Sequence, residues 1–277
     1  MKKLDKFDIE ITKLLIENSR YPLSYLSEMV RRSKSFVDYR IKKLEKIGAF
    51  NYTVAVRWKK IGFQSFRILA KGIERIKIPR IFGMRNYSVF YNYYDILILS
   101  YDLRNIKYII NYLKESGFEV ELFIRDKIVI PYNFLEVKMK EFKEDKEIDV
   151  DKNFFWNFIK VYEKNLRKPL IYLSKILNID YIKLRNIIKE YERSIIRGYS
   201  ININPEIYGY KRAVIYLSIK KNKEFIKEIN KIRVNNMEKL VGRMDYRIEY
   251  FYKDERDLRK IIDRLEDMYV KDMQILK

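Results

Sequence analysis

No cysteine and no histidine occur anywhere in this chain. Without cysteine there is no disulfide framework, no thiolate metal site and no thiol nucleophile. Without histidine there is no Ser-His-Asp triad, no imidazole zinc site and no histidine acid–base chemistry. Long apolar runs are missing too. No segment approaches the ~20 apolar residues of a spanning helix. Asp5, Asp8 and Glu10 interrupt the opening stretch MKKLDKFDIEITKLL, which therefore does not read as a signal peptide. These absences predict a soluble cytoplasmic protein with no membrane partner, no metal and no cofactor.

Positive charge, by contrast, is abundant. Fifty-nine Lys and Arg stand against 38 Asp and Glu, a net charge of +21. Such an excess favours a polyanion, nucleic acid first and an anionic membrane surface second. A lysine-, isoleucine- and tyrosine-rich compositional bias is the competing explanation. At 48% hydrophobic residues the chain can bury a core, which argues against wholesale disorder.

The chain is internally duplicated. Residues 20–27 read RYPLSYLS and residues 167–174 read RKPLIYLS, an offset of 147. The same offset superposes Asn18 on Asn165, Glu45 on Glu192, Tyr52 on Tyr199, Val54 on Ile201 and Gly62 on Gly209. Charged residues crowd 136–152, which reads as a solvated helix or linker between the copies.

Each copy opens with helical periodicity. In the first, Phe7, Ile11, Leu14 and Leu15 share a face, with Asp5 as N-cap. Pro22 suits the first position of a second helix. Ser33 caps a third, in which Val37, Ile41 and Leu44 face inward and which Gly48 ends. Three short helices so joined make a helix-turn-helix, whose third helix enters the major groove. Between Arg31 and Lys46 seven cationic side chains stand against two acidic ones. Lys34, Ser35, Asp38, Tyr39 and Lys42 are placed to reach base edges. Arg31, Arg32, Ser33, Arg40 and Lys43 are placed for phosphates. Arg40 has an alternative, an ion pair with Glu45 or Asp38.

The second copy keeps the skeleton through Phe155, Phe158, Ile159, Leu173, Leu184 and Ile188, with Asp180 as N-cap. Its reading helix is less basic. Tyr181, Lys183, Arg185 and Lys189 are its DNA-contact candidates, and Tyr181 and Ile182 stand where the first copy has Lys34 and Ser35.

Alternating strands follow each helical segment: Tyr52, Val54, Val56 and then Tyr199, Ile201, Ile203. The second copy continues with strand 213–219, a helix around 225–229, a strand ending at Leu240–Val241, the turn Gly242–Asp245, strand 246–252, a helix carrying Leu258, Ile261 and Leu265, and strand 270–276. That order is βαββαβ, the ferredoxin-like pattern. The first copy is degenerate: strand 66–70, a shortened helix near 71–76, a strand over 94–99, a helix through Ile106–Leu113 and a last strand over 120–130.

The run from Leu4 through Leu14-Leu15-Ile16-Glu17-Asn18-Ser19-Arg20, Leu26-Ser27, Ser33, Val37 to Glu45 and Gly48 closely resembles the N-terminal motif of the Lrp/AsnC (leucine-responsive, feast/famine) transcription regulators. The βαββαβ unit resembles that family's ligand-sensing domain, including a Gly-x-x-Asp turn. The resemblance implies double-stranded DNA as partner and self-association through the sheet domains, within one chain or as a homodimer. It also implies a small amino-acid-like effector, with Gly242, Met244 and Asp245 as its candidate contacts. Three departures stand out. Arg31-Arg32 replaces a small apolar turn, Asn92 stands where Gly242 falls in the second copy, and one chain holds two copies of what such regulators usually carry once. The two sheet domains are therefore expected to pair as a covalent pseudo-dimer.

The expected fold is α+β: two tandem copies of a (winged) helix-turn-helix followed by a ferredoxin-like sensing domain. The expected segments are a helix-turn-helix at 1–58, a degenerate ferredoxin-like domain at 59–135, a charged linker at 136–150, a second helix-turn-helix at 151–204 and a sensing and dimerisation domain at 205–277. The function expected is a nucleoid-associated regulator that is not an enzyme. One alternative is a decarboxylase of sirohaem-type tetrapyrroles, which shares this architecture but in which histidines are expected to matter. The other is an effector-sensing module without DNA binding.

Overall fold

The structure, a computed structural model, describes residues 4–79, 83–130, 148–232 and 234–277. The first copy runs α1 (Lys6–Glu17), α2 (Leu23–Val30), α3 (Lys34–Lys46), β1 (Phe50–Val56), β2 (Gln64–Lys71), β3 (Met84–Phe90), β4 (Tyr93–Ser100), α4 (Leu103–Glu115) and β5 (Glu119–Ile130). The second runs α5 (Lys152–Lys164), α6 (Leu170–Leu177), α7 (Tyr181–Ser194), β6 (Ile196–Ile203), β7 (Lys211–Ile219), α8 (Asn222–Ile229), β8 (Asn236–Val241), β9 (Tyr246–Tyr252), α9 (Glu255–Glu266) and β10 (Val270–Leu276). Two expectations for the first copy need correction. No described residue between β2 and β3 is helical, so the shortened helix near 71–76 is absent. Instead Ile76 and Ile78 pack on the sheet directly. Strand β3 had no counterpart in the sequence reading. Of the expected linker, 136–147 lies outside the described residues, and 148–150 has no regular structure.

Helix starts follow from local chemistry. The Asp5 carboxylate accepts from the amides of Phe7 and Asp8, while Asp8 accepts from the Asp5 amide, forming a capping box. Ser33 accepts from the Phe36 amide, and Asp180 from those of Ile182 and Lys183. Pro22 stands one position earlier than expected, as the N-cap of α2. Helices α2 and α6 both end on a left-handed residue, Arg31 at φ 53° and Asn178 at φ 51°.

The chain divides into two compact units, and the division cuts across both copies. One unit gathers α1–α3, β1, α5–α7 and β6; the other gathers all of β2–β5, α4, β7–β10, α8 and α9. Like parts of the two copies have assembled with like parts.

In the helical unit β1 and β6 form an antiparallel ladder that pairs Tyr52 with Ile201, Thr53 with Ser200 and Val54 with Tyr199. Each copy's strand is held by the other copy's helices. The Ser19 amide donates to the Tyr199 carbonyl at 3.1 Å, and Ser200 Oγ to the Ile16 carbonyl at 2.7 Å. Glu163 on α5 accepts from Thr53 Oγ1 and from the Val54 amide.

In the sheet unit all eight strands form one sheet, in the order β10-β7-β9-β8-β5-β2-β4-β3. Within each half the order is that of a βαββαβ unit, and β5 pairs with β8 to join the halves. One face carries the helices. Phe225, Ile229, Leu258, Ile261 and Leu265 cover the second half there, and Ile106, Ile109 and Leu113 the first. The sheet folds back on itself, so that Leu69, Phe123, Val214, Tyr216, Leu240 and Met244 meet on the inner face. The expected pairing of the two sheet domains within one chain is therefore present.

Candidate nucleic-acid interface

Helix α3 has one buried and one exposed face. Val37, Ile41 and Leu44 are at most 3% exposed against α1 and α2. Burying side chains of this size stabilises by about 1.5–3 kcal/mol each. That anchorage fixes which residues point outward. Arg31, Arg32, Ser33, Lys34 and Ser35 are exposed, as is Lys42, and Tyr39 is 65% exposed. The hydroxyl of Ser33 also serves as N-cap. The Arg32 guanidinium lies 4.6 Å over the Phe7 ring, an exposed cation–π contact that restricts its swing while leaving its N–H groups in solvent.

Three residues of the expected set are otherwise engaged. Asp8 is fully buried and accepts from Arg40 Nη1 at 3.1 Å and from Lys43 Nζ at 3.0 Å. Arg40 also reaches Asp5 at 2.7 Å. Its pairing is thus with the first helix, and neither Glu45 nor Asp38 is its partner. Burial alone would lower the Arg40 pKa, but the two carboxylates outweigh that and raise it. Arg40 and Lys43 clamp α3 to α1 through the buried Asp8 carboxyl, whose oxygens take their hydrogen bonds from these two side chains. Asp38 pairs with Lys42 one turn along, at 2.6 Å on the open surface. Glu45 accepts from the Tyr52 hydroxyl, and Glu192 from that of Tyr199.

Helix α7 offers a different surface. Tyr181, Lys183, Arg185 and Lys189 are all exposed. At its start, however, Ile182 is 67% and Tyr181 40% exposed, and α6 also exposes Ile171, Tyr172 and Ile176. The start of the helix, Lys34 and Ser35 in the first copy, is Tyr181 and Ile182 in the second. The difference lies in side chains alone, since both copies fold alike.

The turn expected to hold an effector is a structural corner. Met244 is fully buried among Phe123, Tyr216 and Leu276. The Asp245 carboxylate accepts from the Ile219 amide at 2.7 Å and from Ser218 Oγ, and its backbone amide donates to the Leu217 carbonyl. Gly242 has φ +153°, and a Cβ there would lie 2.7 Å from Phe123. Met244 and Asp245 are thus spoken for by packing and by a strand end, which corrects their assignment as effector contacts. No group of acidic side chains able to hold a metal ion occurs among the described residues. No described helix is long and apolar enough to cross a membrane.

A helix-turn-helix, a strand and a ferredoxin-like half-sheet recur in that order in both copies. The same set of parts is thus present twice within one chain. No family model matches the sequence. Among curated proteins, an uncharacterized HTH-type transcriptional regulator of Pyrococcus abyssi is 35% identical over 72 residues, 26% of this chain and 49% of its own length. A second, from Pyrococcus horikoshii, is 32% identical over 80 residues, 28% of this chain and 51% of its own length. The chain thus spans about half the length of each curated relative. Among solved structures, the siroheme decarboxylase NirDL superposes over 98% of this chain and 90% of its own, with a TM-score of 0.62 at 12% identity. At that identity the likeness is one of fold. It covers both copies of the doubled chain.

Proposed function

We propose that this protein is a sequence-specific DNA-binding transcription regulator that reads the major groove with helix α3. One observation carries the reading: Arg31, Arg32, Lys34, Ser35, Tyr39 and Lys42 are presented to solvent from a helix whose other face is anchored. Lys34, Ser35 and Tyr39 reach base edges, with Lys42 one turn on; Arg31 and Arg32 hold phosphates. Asp38 orients Lys42. Arg40 and Lys43 act by holding the helix, not by touching DNA. Helix α7 is the weaker reader, through Lys183, Arg185 and Lys189, so the chain suits an imperfectly symmetric site. Any small-molecule effector binds away from Met244 and Asp245.

A salt series on the intact chain tests this. Phosphate contacts make log K fall with log[salt], with a slope of about −0.9 per contact. Lys34→Ala should relax sequence preference, and Arg32→Ala should weaken all sequences alike and flatten the slope by about 1. Binding independent of salt, or unchanged by both substitutions, excludes α3 as the reading helix.

The full-length likeness to NirDL supports a second reading, a tetrapyrrole-acting enzyme. Against it, the sequence offers no histidine as acid, base or iron ligand. An absorbance titration with an iron tetrapyrrole separates the two: saturable binding at micromolar concentration favours the enzyme.

A further inference from the structure

Asp95 on β4 and Arg247 on β9 are the same position of the repeat. Asp95 pairs with Leu69 across β2–β4, and Arg247 pairs with Tyr216 across β7–β9; Leu69 and Tyr216 are related by the 147-residue offset. Yet Asp95 and Arg247 touch. Arg247 donates to Asp95 Oδ2 from Nη2 at 2.6 Å and from Nε at 3.0 Å, and both residues are at most 1% exposed. Equivalent residues in contact lie on the local two-fold axis relating the two half-sheets. There, a half-sheet paired with its own kind sets aspartate against aspartate, or arginine against arginine.

A second pair is unequal in the same sense. Arg67 donates to both Glu238 oxygens at 2.9 Å, inside the same core. Their repeat equivalents are Val214 and Ser88. In a pair of first halves Arg67 meets a serine hydroxyl, and in a pair of second halves Glu238 meets a valine methyl. Each then loses its two-bond partner and keeps only the weaker contact within its own half, Asp95 at 3.3 Å from Arg67 and Arg247 at 3.9 Å from Glu238, so a buried charge is left under-compensated, which is destabilising.

We propose that these residues form a pairing code: the inner face of the first half-sheet accepts the inner face of the second and rejects a second copy of itself. Association of two chains through these faces therefore proceeds by head-to-tail exchange of unlike halves. Pairing that takes two chains in a single-copy regulator is completed inside this one. Charge of opposite sign at one repeat position does this because the site is dry. In water the same pair would discriminate little.

The full-length chain tests the code by placing a like charge on the axis. Arg247→Asp puts a carboxylate against Asp95, and Arg247→Asn is its near-isosteric neutral control. Urea midpoints are measured at pH 8 and pH 5, with an excluded osmolyte present to keep every variant folded at the outset. The expected result is a midpoint lower for Arg247→Asp than for Arg247→Asn by about 1 M at pH 8. The gap should close at pH 5, where two facing carboxyls share a proton. Adding Asp95→Asn to both variants should shrink the pH 8 gap by at least half. Equal midpoints for the two Arg247 variants at pH 8, or a gap indifferent to Asp95→Asn, overturns the proposal.

Discussion

Thr53 and Ser200 lie opposite each other in the β1–β6 ladder and are the same position of the repeat. The local two-fold axis of the helical unit therefore passes between them. Each strand supplies the other copy's helices with hydrogen-bond partners, so neither helix-turn-helix completes its backbone bonding alone.

That dependence is measurable at Glu163. Glu163→Leu leaves the Val54 amide without its carboxylate partner and should cost about 1–3 kcal/mol. Glu163→Gln keeps an acceptor and should cost less. Urea unfolding followed by far-ultraviolet circular dichroism reads the difference. Equal stability of the two variants would show that the Val54 amide finds another partner.

Asp8 is predicted to be a residue of stability whose loss also disturbs reading. Asp8→Ala strands Lys43 and leaves Arg40 with Asp5 alone, both cations being mostly shielded from solvent, and should destabilise by about 3 kcal/mol. Arg40→Ala should lower the unfolding midpoint while leaving the salt slope of DNA binding unchanged, because Arg40 is no phosphate ligand. A flatter slope for Arg40→Ala would return it to the interface.

The left-handed caps predict a trade between stability and binding. A non-glycine residue in this conformation costs about 1–2 kcal/mol, so Arg31→Gly and Asn178→Gly should each raise stability by up to about 1 kcal/mol. Arg31→Gly should also weaken DNA binding; Asn178→Gly should not. Thermal unfolding with parallel gel-shift titrations checks both halves of the prediction.

Acid should act on the sheet unit. Burial would raise the carboxyl pKa values of Asp95 and Glu238, but the guanidiniums of Arg247 and Arg67 for the one, and of Arg67, Arg125 and Arg247 for the other, hold them below the usual range. A carboxylate whose folded pKa is depressed contributes stability that is present above its unfolded pKa, near 4, and lost as pH falls towards the folded value. The urea midpoint should therefore be flat from pH 8 to about pH 5 and fall below about pH 4. Asp95→Asn should reduce the steepness of that fall. A wild-type midpoint that rises on acidification contradicts the assignment.

The sequence by itself determined the local structure. Asp5, Ser33 and Asp180 fix helix starts through their own side chains, and the spacing of Val37, Ile41 and Leu44 fixes which face of α3 turns inward. The 147-residue offset, together with the βαββαβ order of the second half, determined the doubled architecture before any contact was known. Tertiary structure decided what depends on residues distant along the chain. Arg40 pairs with Asp5 and Asp8 at the start of α1 and not with Asp38 or Glu45, because packing of α3 on α1 brings those two carboxylates within reach. The missing helix after β2 and the unforeseen β3 reflect a stretch whose short apolar segments carry no clear period. Most of all, neither the grouping of like parts into two units nor the meeting of Asp95 with Arg247 is written in local patterns, since both arise only when two half-sheets 147 residues apart close on one dry core.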